Sequence, residues 1–300
     1  MYNTRILAER GMHKPPKWLP GTIQYETQMG SVAYGVSSDT SDVDLYGFCI
    51  PPREMIFPHL AGEIPGFGRQ IKRFEQYQQH HIPSPDELGG KGRTYDVTIF
   101  SIVKFFQLAM ENNPNMVDAL FTPQTGVLTC TKVGSMVREN RRMFLHKGSW
   151  HKFKGYAYSQ KNKMYTKVPT EGSSRREAYE AQGFDVKAAY HCVRLMLQVE
   201  QILIEGDLDL MRHREQLKAI RRGEWTPDQI AQFFQDKEQS LERLYNESTL
   251  RHTPDEGKIK DLLLQCLEEH YGSMAGLIET PDRALEKLRR IKELCEEAGV

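Results

Sequence analysis

Residues 22–50 carry the arrangement that most restricts how this chain folds. Thr22–Met29 sets Ile23, Tyr25, Thr27 and Met29 at alternate positions, the period of a strand. That run enters Gly30-Ser31 directly. The polar stretch Ser37-Ser38-Asp39-Thr40-Ser41 supplies turn chemistry. DVDLYGFCI, residues 42–50, then reads as a second strand closed by Pro51-Pro52.

The side chains on this frame imply a chemistry. Asp42 and Asp44 are two apart, so a strand puts both carboxylates on one face and Val43 and Leu45 on the other. Neighbouring carboxylates repel and call for a cation. Hard oxygen donors at this spacing suit Mg2+, which keeps waters and takes substrate phosphates as further ligands. Gly30 frees the backbone and Ser31 brings a small hydroxyl. If residues 31–35 form a first helical turn, its N–H groups face a phosphate. Asp-x-Asp alone is common in solvated turns and Gly-Ser alone says little; their order on two joined strands is what carries meaning.

Beyond this segment the pattern changes. Residues 4–11 read as a short helix, 53–92 mostly as loop with Phe74–Ile82 as an extra strand, and Thr94–Ile99 as a further strand. A helix is expected over 99–113, broken at Asn113-Pro114, with a second over Met116–Phe121. From about 132 onward the periodicity is helical, most clearly over 184–205, 227–245, 256–271 and 281–298, with Gly206 and Gly223 as stops. Strands early and helices late imply an α+β chain: a small mixed-sheet catalytic domain over 1–130, then a mainly helical domain over 131–300, the boundary falling within 122–150.

GSVAYGVSSDTSDVDLYGF, residues 30–48, resembles the signature of DNA polymerase β superfamily nucleotidyltransferases, and its full form resembles the RNA-repair-associated, RlaP-type family. DVTIFSIVKFFQLAMENNPNMVDALF, residues 96–121, looks the same way. The resemblance implies that Gly30-Ser31 is a triphosphate-binding turn and that Asp42 and Asp44 are metal ligands. It also implies a third carboxylate on a neighbouring strand, also a metal ligand, that aligns or activates the attacking hydroxyl. Asp96 is the candidate; the alternative reading makes it the N-cap of the following helix. Asp118 and Glu111 are weaker candidates, since both fall on helices. The implied reaction is in-line attack on the α-phosphate of an NTP with two Mg2+ ions, Mn2+ being an alternative.

Charge is unevenly placed in a chain of formal net charge zero. Residues 132–176 hold twelve Lys/Arg, among them Lys152, Lys154, Lys161 and Lys163, against only Glu139 and Glu171, with aromatics interleaved. This reads as an RNA-binding surface or as a solvated helical face. Over 186–203, Lys187, His191, Arg194 and Gln198 share a helical face. If it meets the catalytic cleft, Lys187 and Arg194 contact nucleotide; otherwise it is an ordinary exposed face. His80-His81, His146 and His151 lack a ligand set and are read as non-metal, and Arg221-Arg222 as partners of helix-end carbonyls.

The expected partners are an NTP and an RNA or tRNA-like 3′ end. A small-molecule or protein acceptor and a non-catalytic, antitoxin-like binding module are the alternatives. Five scattered cysteines with no Cys-x-x-Cys pair argue against a disulfide framework or zinc ribbon. With no long apolar run and no signal-peptide core, no membrane association and a cytoplasmic location are expected.

Overall fold

The computed structural model describes residues 2–36, 42–56, 73–171, 174–272 and 281–297. The expected polar turn at 37–41 lies outside the described residues, as does 57–72 within the expected loop. The fold is α+β. Five strands form one mixed sheet in the order β3-β4-β2-β1-β5. They are β1 (Ile23–Gln28), β2 (Val43–Cys49), β3 (Gln76–Ser84), β4 (Arg93–Ser101) and β5 (Val127–Cys130). β2 and β4 run parallel, and every other pairing is antiparallel.

Side-chain alternation divides the core between the two faces of this sheet. Val43, Leu45, Tyr95, Val97 and Ile99 join the smaller apolar cluster with Leu7 of α1 (Thr4–Glu9) and Leu19 of α2 (Leu19–Thr22). Tyr25, Phe48 and Phe100 point the other way into the larger cluster. Because both faces are covered, β1 is buried at all six positions rather than at every second one. A short α3 (Arg53–Ile56) follows β2.

The helices assemble on the second face. α4 (Ile102–Met110) and α5 (Pro114–Phe121) are followed by α6 (Lys132–Glu139), α7 (Ser149–Thr166) and α8 (Ser174–Gln182). α9 (Val186–Glu205), α10 (Arg214–Arg221), α11 (Pro227–Glu247) and α12 (Glu256–Tyr271) come next, and a last helix covers Pro281–Glu297. α9 is buried along most of its length and packs against α7, α10 and α11. Asp185 caps its start by accepting from the Lys187 and Ala188 N–H groups, and Gly206 ends it in the left-handed conformation. Trp150 and Phe153 of α7 are wholly buried, each such side chain stabilising by about 1.5–3 kcal/mol.

Two expectations are corrected here. β4 extends to Ser101, so α4 starts at 102 rather than 99. β5 pairs with β1 where only a domain boundary had been expected. The larger apolar cluster is continuous across that boundary, from Tyr25 to Leu267.

Candidate active site

Asp44 and Asp96 are register partners on β2 and β4. They share the face that carries Phe48 and Phe100, opposite Leu45 and Val97. Adjacent strands lie about 4.8 Å apart, so the two carboxyl groups are forced together. Burial, and next the charge of Asp96, push the Asp44 carboxyl up to about 6; Lys187 opposes this and Asp42 adds to it. Asp42 itself stands exposed one residue before β2, which begins at Val43 and not at 42.

Gly30 closes the site from the end of β1. It has φ +69, and a Cβ there would lie 2.1 Å from Asp44 Oδ2. The Met29 N–H donates to the Asp44 carbonyl at 2.7 Å, which fixes this approach. Residues 31–35 do not form the expected helical turn. They make successive tight turns, Ala33 N–H to Gly30 O at 3.1 Å and Gly35 N–H to Val32 O at 3.0 Å, which bring Ser31 to the cleft wall.

Asp96 is not a helix cap. It lies within β4, and the cap of α4 is Ser101, whose Oγ accepts from the Lys104 N–H at 3.1 Å. Asp96 is instead held by β3. A bulge between Gln79 and Ile82 puts His81 at φ 55 and aims its N–H at Asp96 Oδ1, 2.7 Å away. His80 Nδ1 stands 3.4 Å from Asp96 Oδ2. The histidine pair, set aside in the sequence, therefore borders the site. Among the described residues no three His, Cys, Asp or Glu side chains by themselves enclose a metal.

The facing wall comes from the helices. His191, Arg194 and Gln198 are not on an exposed face: Arg194 and Gln198 are buried, and His191 lines the cleft. Lys187 stays exposed and also lines it. Asp118 of α5 accepts from Tyr34 Oη at 2.5 Å, Arg194 Nη1 at 2.5 Å and Gln198 Nε2 at 2.7 Å. The Arg194 guanidinium lies 4.2 Å from the Tyr34 ring centre. Asp118 is thus committed to Arg194, and Glu111 pairs with Lys152 at 3.2 Å. Neither is a third carboxylate of the site.

Two arginines given no place in the cleft by the sequence complete this wall. Arg221 donates to the Val36 carbonyl at 2.6 Å and lines the cleft, instead of binding its own helix end. Arg175 forks onto Asp185. No local pattern marks either residue, because their partners lie far away or in a cap. Burial, then Arg194, Lys187, Arg175 and Arg221, hold the His191 imidazole well below its ordinary value. The Arg194 Nε and the Tyr190 hydroxyl are buried at the cleft without a partner among the described residues.

The resulting cleft has a volume of about 620 Å3, with Gly30, Ser31, Asp42, Asp44 and Asp96 on the sheet side. The basic stretch contributes unevenly. Lys152 pairs with Glu111, Lys154 binds Glu238 and Glu242 at 2.8 and 2.9 Å, and Lys161 sits 4.5 Å from the Phe234 ring centre. Only Lys163 of the four singled out in the sequence borders the cleft's extension. Among the described residues no helix is long and apolar enough to cross a membrane.

A mixed sheet with in-register aspartates on its helix-covered face, followed by helices, is the architecture of a polymerase β-like nucleotidyltransferase. The model of the RNA repair pathway DNA polymerase beta family, RlaP, matches residues 11–288, and the chain belongs to that family. Among solved structures, a nucleotidyltransferase-like protein from Exiguobacterium sibiricum 255-15 is similar at 12% identity, covering 99% of this chain and 90% of that one with a TM-score of 0.29. No curated protein matches.

Proposed function

We propose that this chain transfers a nucleoside monophosphate from an NTP to the hydroxyl of an RNA 3′ end. The observation that carries the reading is the pairing of Asp44 with Asp96 beneath Gly30. Burial and a neighbouring carboxylate push the Asp44 carboxyl up to about 6, and a bound divalent cation would oppose both. The oxygen donors of Asp42, Asp44 and Asp96 fit Mg2+, with substrate phosphates and water as its remaining ligands. Bound there, Mg2+ would supply charge neutralisation for the phosphates and acidify the attacking hydroxyl.

The chain's own groups do the rest. The turn at Gly30-Ser31 donates hydrogen bonds to the β- and γ-phosphates. Lys187 and Arg221 offset their charge from the opposite wall, where Arg194, paired with Asp118, has its Nε–H left to donate. Asp96 accepts the proton of the acceptor hydroxyl as its oxygen bonds to the α-phosphorus. The bond to the bridging oxygen breaks, and pyrophosphate leaves with that electron pair. His80 and the His81 N–H hold Asp96 for this task. Positioning and electrostatics account for the catalysis without a covalent enzyme intermediate.

The test is label transfer from each NTP to total RNA in Mg2+, by the wild type, Asp44→Asn and Asp96→Asn. Asp44→Asn is expected to lose about 100- to 1,000-fold in turnover, the scale of a lost charge-stabilising group. Asp96→Asn should lower kcat with NTP KM little changed. Near-normal turnover of Asp44→Asn would overturn the reading, and label on protein or a small molecule would move the acceptor.

A further inference from the structure

A second cavity, of about 270 Å3, opens from the first. The two share Asn115, Arg175, Lys187, His191 and Arg194, so they form one depression. Their charges differ. Asp42, Asp44, Asp96 and Asp185 line the first, whereas among the described residues no Asp or Glu lines the second. Its cations include Lys163 and Lys167, both exposed and neither paired with a carboxylate among the described residues.

The helix that supplies these lysines sorts its charges by face. Tyr156, Gln160, Lys163 and Lys167 follow each other by four, three and four residues, one side of α7 and its C-cap, and all line the cavity. Lys154, Tyr158 and Lys161 lie on another side and are engaged by Glu238, Glu242 and Phe234 of α11. Lys163 and Lys167, which line a groove joined to the reaction centre, keep no carboxylate partner among the described residues, as a polyanion requires, while Lys152 and Lys154 are paired. Tyr156 adds a half-exposed ring for stacking, and Gln160 and Asn115 offer amides to base edges.

We infer that this second cavity holds backbone phosphates of a single-stranded polynucleotide acceptor, next to the end that reacts. Lys163 and Lys167 contact the strand away from the reaction, and Lys187, on the wall common to both cavities and felt by Asp44, marks the passage inward. A neutral alcohol or a protein hydroxyl would need no such row. The inference rests on the first cavity being the transfer site. It is tested by binding alone, so its failure is distinct from a failure of Asp44→Asn to stop transfer.

The probe is a short fluorescent oligouridylate, titrated by anisotropy at several salt concentrations without NTP. Lys163→Ala/Lys167→Ala should lower the log–log salt slope by about 1.4, at about 0.7 per phosphate contact, and weaken binding roughly twentyfold at 0.1 M salt. Lys152→Ala/Lys154→Ala should change neither, and binding of a fluorescent NTP should survive in the first pair. Thermal midpoints check that both pairs fold. No binding by the wild type, an unchanged slope for the first pair, or equal losses in both pairs would overturn the inference. Loss of NTP binding in the first pair would give the cavity to the nucleotide and overturn it too.

Discussion

The two walls of the cleft treat buried charge in opposite ways. On the helical wall Arg194, 6% exposed, is matched by Asp118, and Tyr34 and Gln198 take up further capacity of that carboxylate. On the sheet wall Asp44 is buried facing Asp96, with Lys187 and His80 opposing, and its carboxyl climbs to about 6. Removing an acid therefore means different things on the two sides. On the first it strands a buried cation without its partner; on the second it relieves a repulsion. A wall built for stability neutralises itself, whereas a wall built for a polyvalent ligand leaves the neutralising to that ligand.

The largest effect separating the walls is expected at Asp118. Asp118→Ala leaves Arg194 buried and uncompensated, and should cost about 3–5 kcal/mol in denaturant unfolding. A cost near zero would show that Arg194 does not depend on Asp118, and the contrast would collapse. Next comes the pH dependence of Asp44→Asn in metal-free buffer. The folded-state pKa of Asp44 is raised, so its contribution is fully present below about pH 4 and lost as pH rises through about 6. The variant has no such loss. Its stability relative to wild type should grow between pH 4.5 and 7.5 by about 2 kcal/mol, since a shift from 3.8 to about 6 is worth about 3 kcal/mol in all and about a third of that is already lost at pH 4.5. Paired unfolding curves at the two pH values measure this, and a pH-independent difference would contradict the repulsion. The smallest effect is expected for Gly30→Ala, about 1–2 kcal/mol for a left-handed alanine. Its methyl also displaces the Asp44 carboxylate, so transfer should fall by more than the thermal midpoint implies. Full activity in that variant would detach Gly30 from the site.

The sheet wall was legible in the sequence and most of the helical wall was not, for one physical reason. Gly30 follows one strand, Asp42 and Asp44 are at strand spacing, and all three fall within fifteen residues of chain, so local rules reach them. Asp96 needed one further step, the pairing of β4 with β2. Arg175 and Arg221 are placed by Asp185 and by the Val36 carbonyl, contacts that no periodicity encodes. The stripe from Lys187 to Gln198 was visible as a face, but an amphipathic pattern does not say whether a polar face meets water or Asp118. The long helices matched closely because periodicity accumulates over their length. β5, four residues long, offers too little repeat to be seen.

The bulge at His80-His81 has a second consequence, for what the sheet can pair with outside itself. β3 is the outermost strand on its side among the described residues, and a straight outer strand is a template for another chain. Here the ladder is interrupted at His81, whose left-handed backbone turns its N–H inward to Asp96. Two residues later Pro83 brings no N–H at all. The kink that aims a donor at the reaction centre thus also denies intruding strands a regular row of hydrogen-bonding groups. Straightening it would expose this edge to self-association.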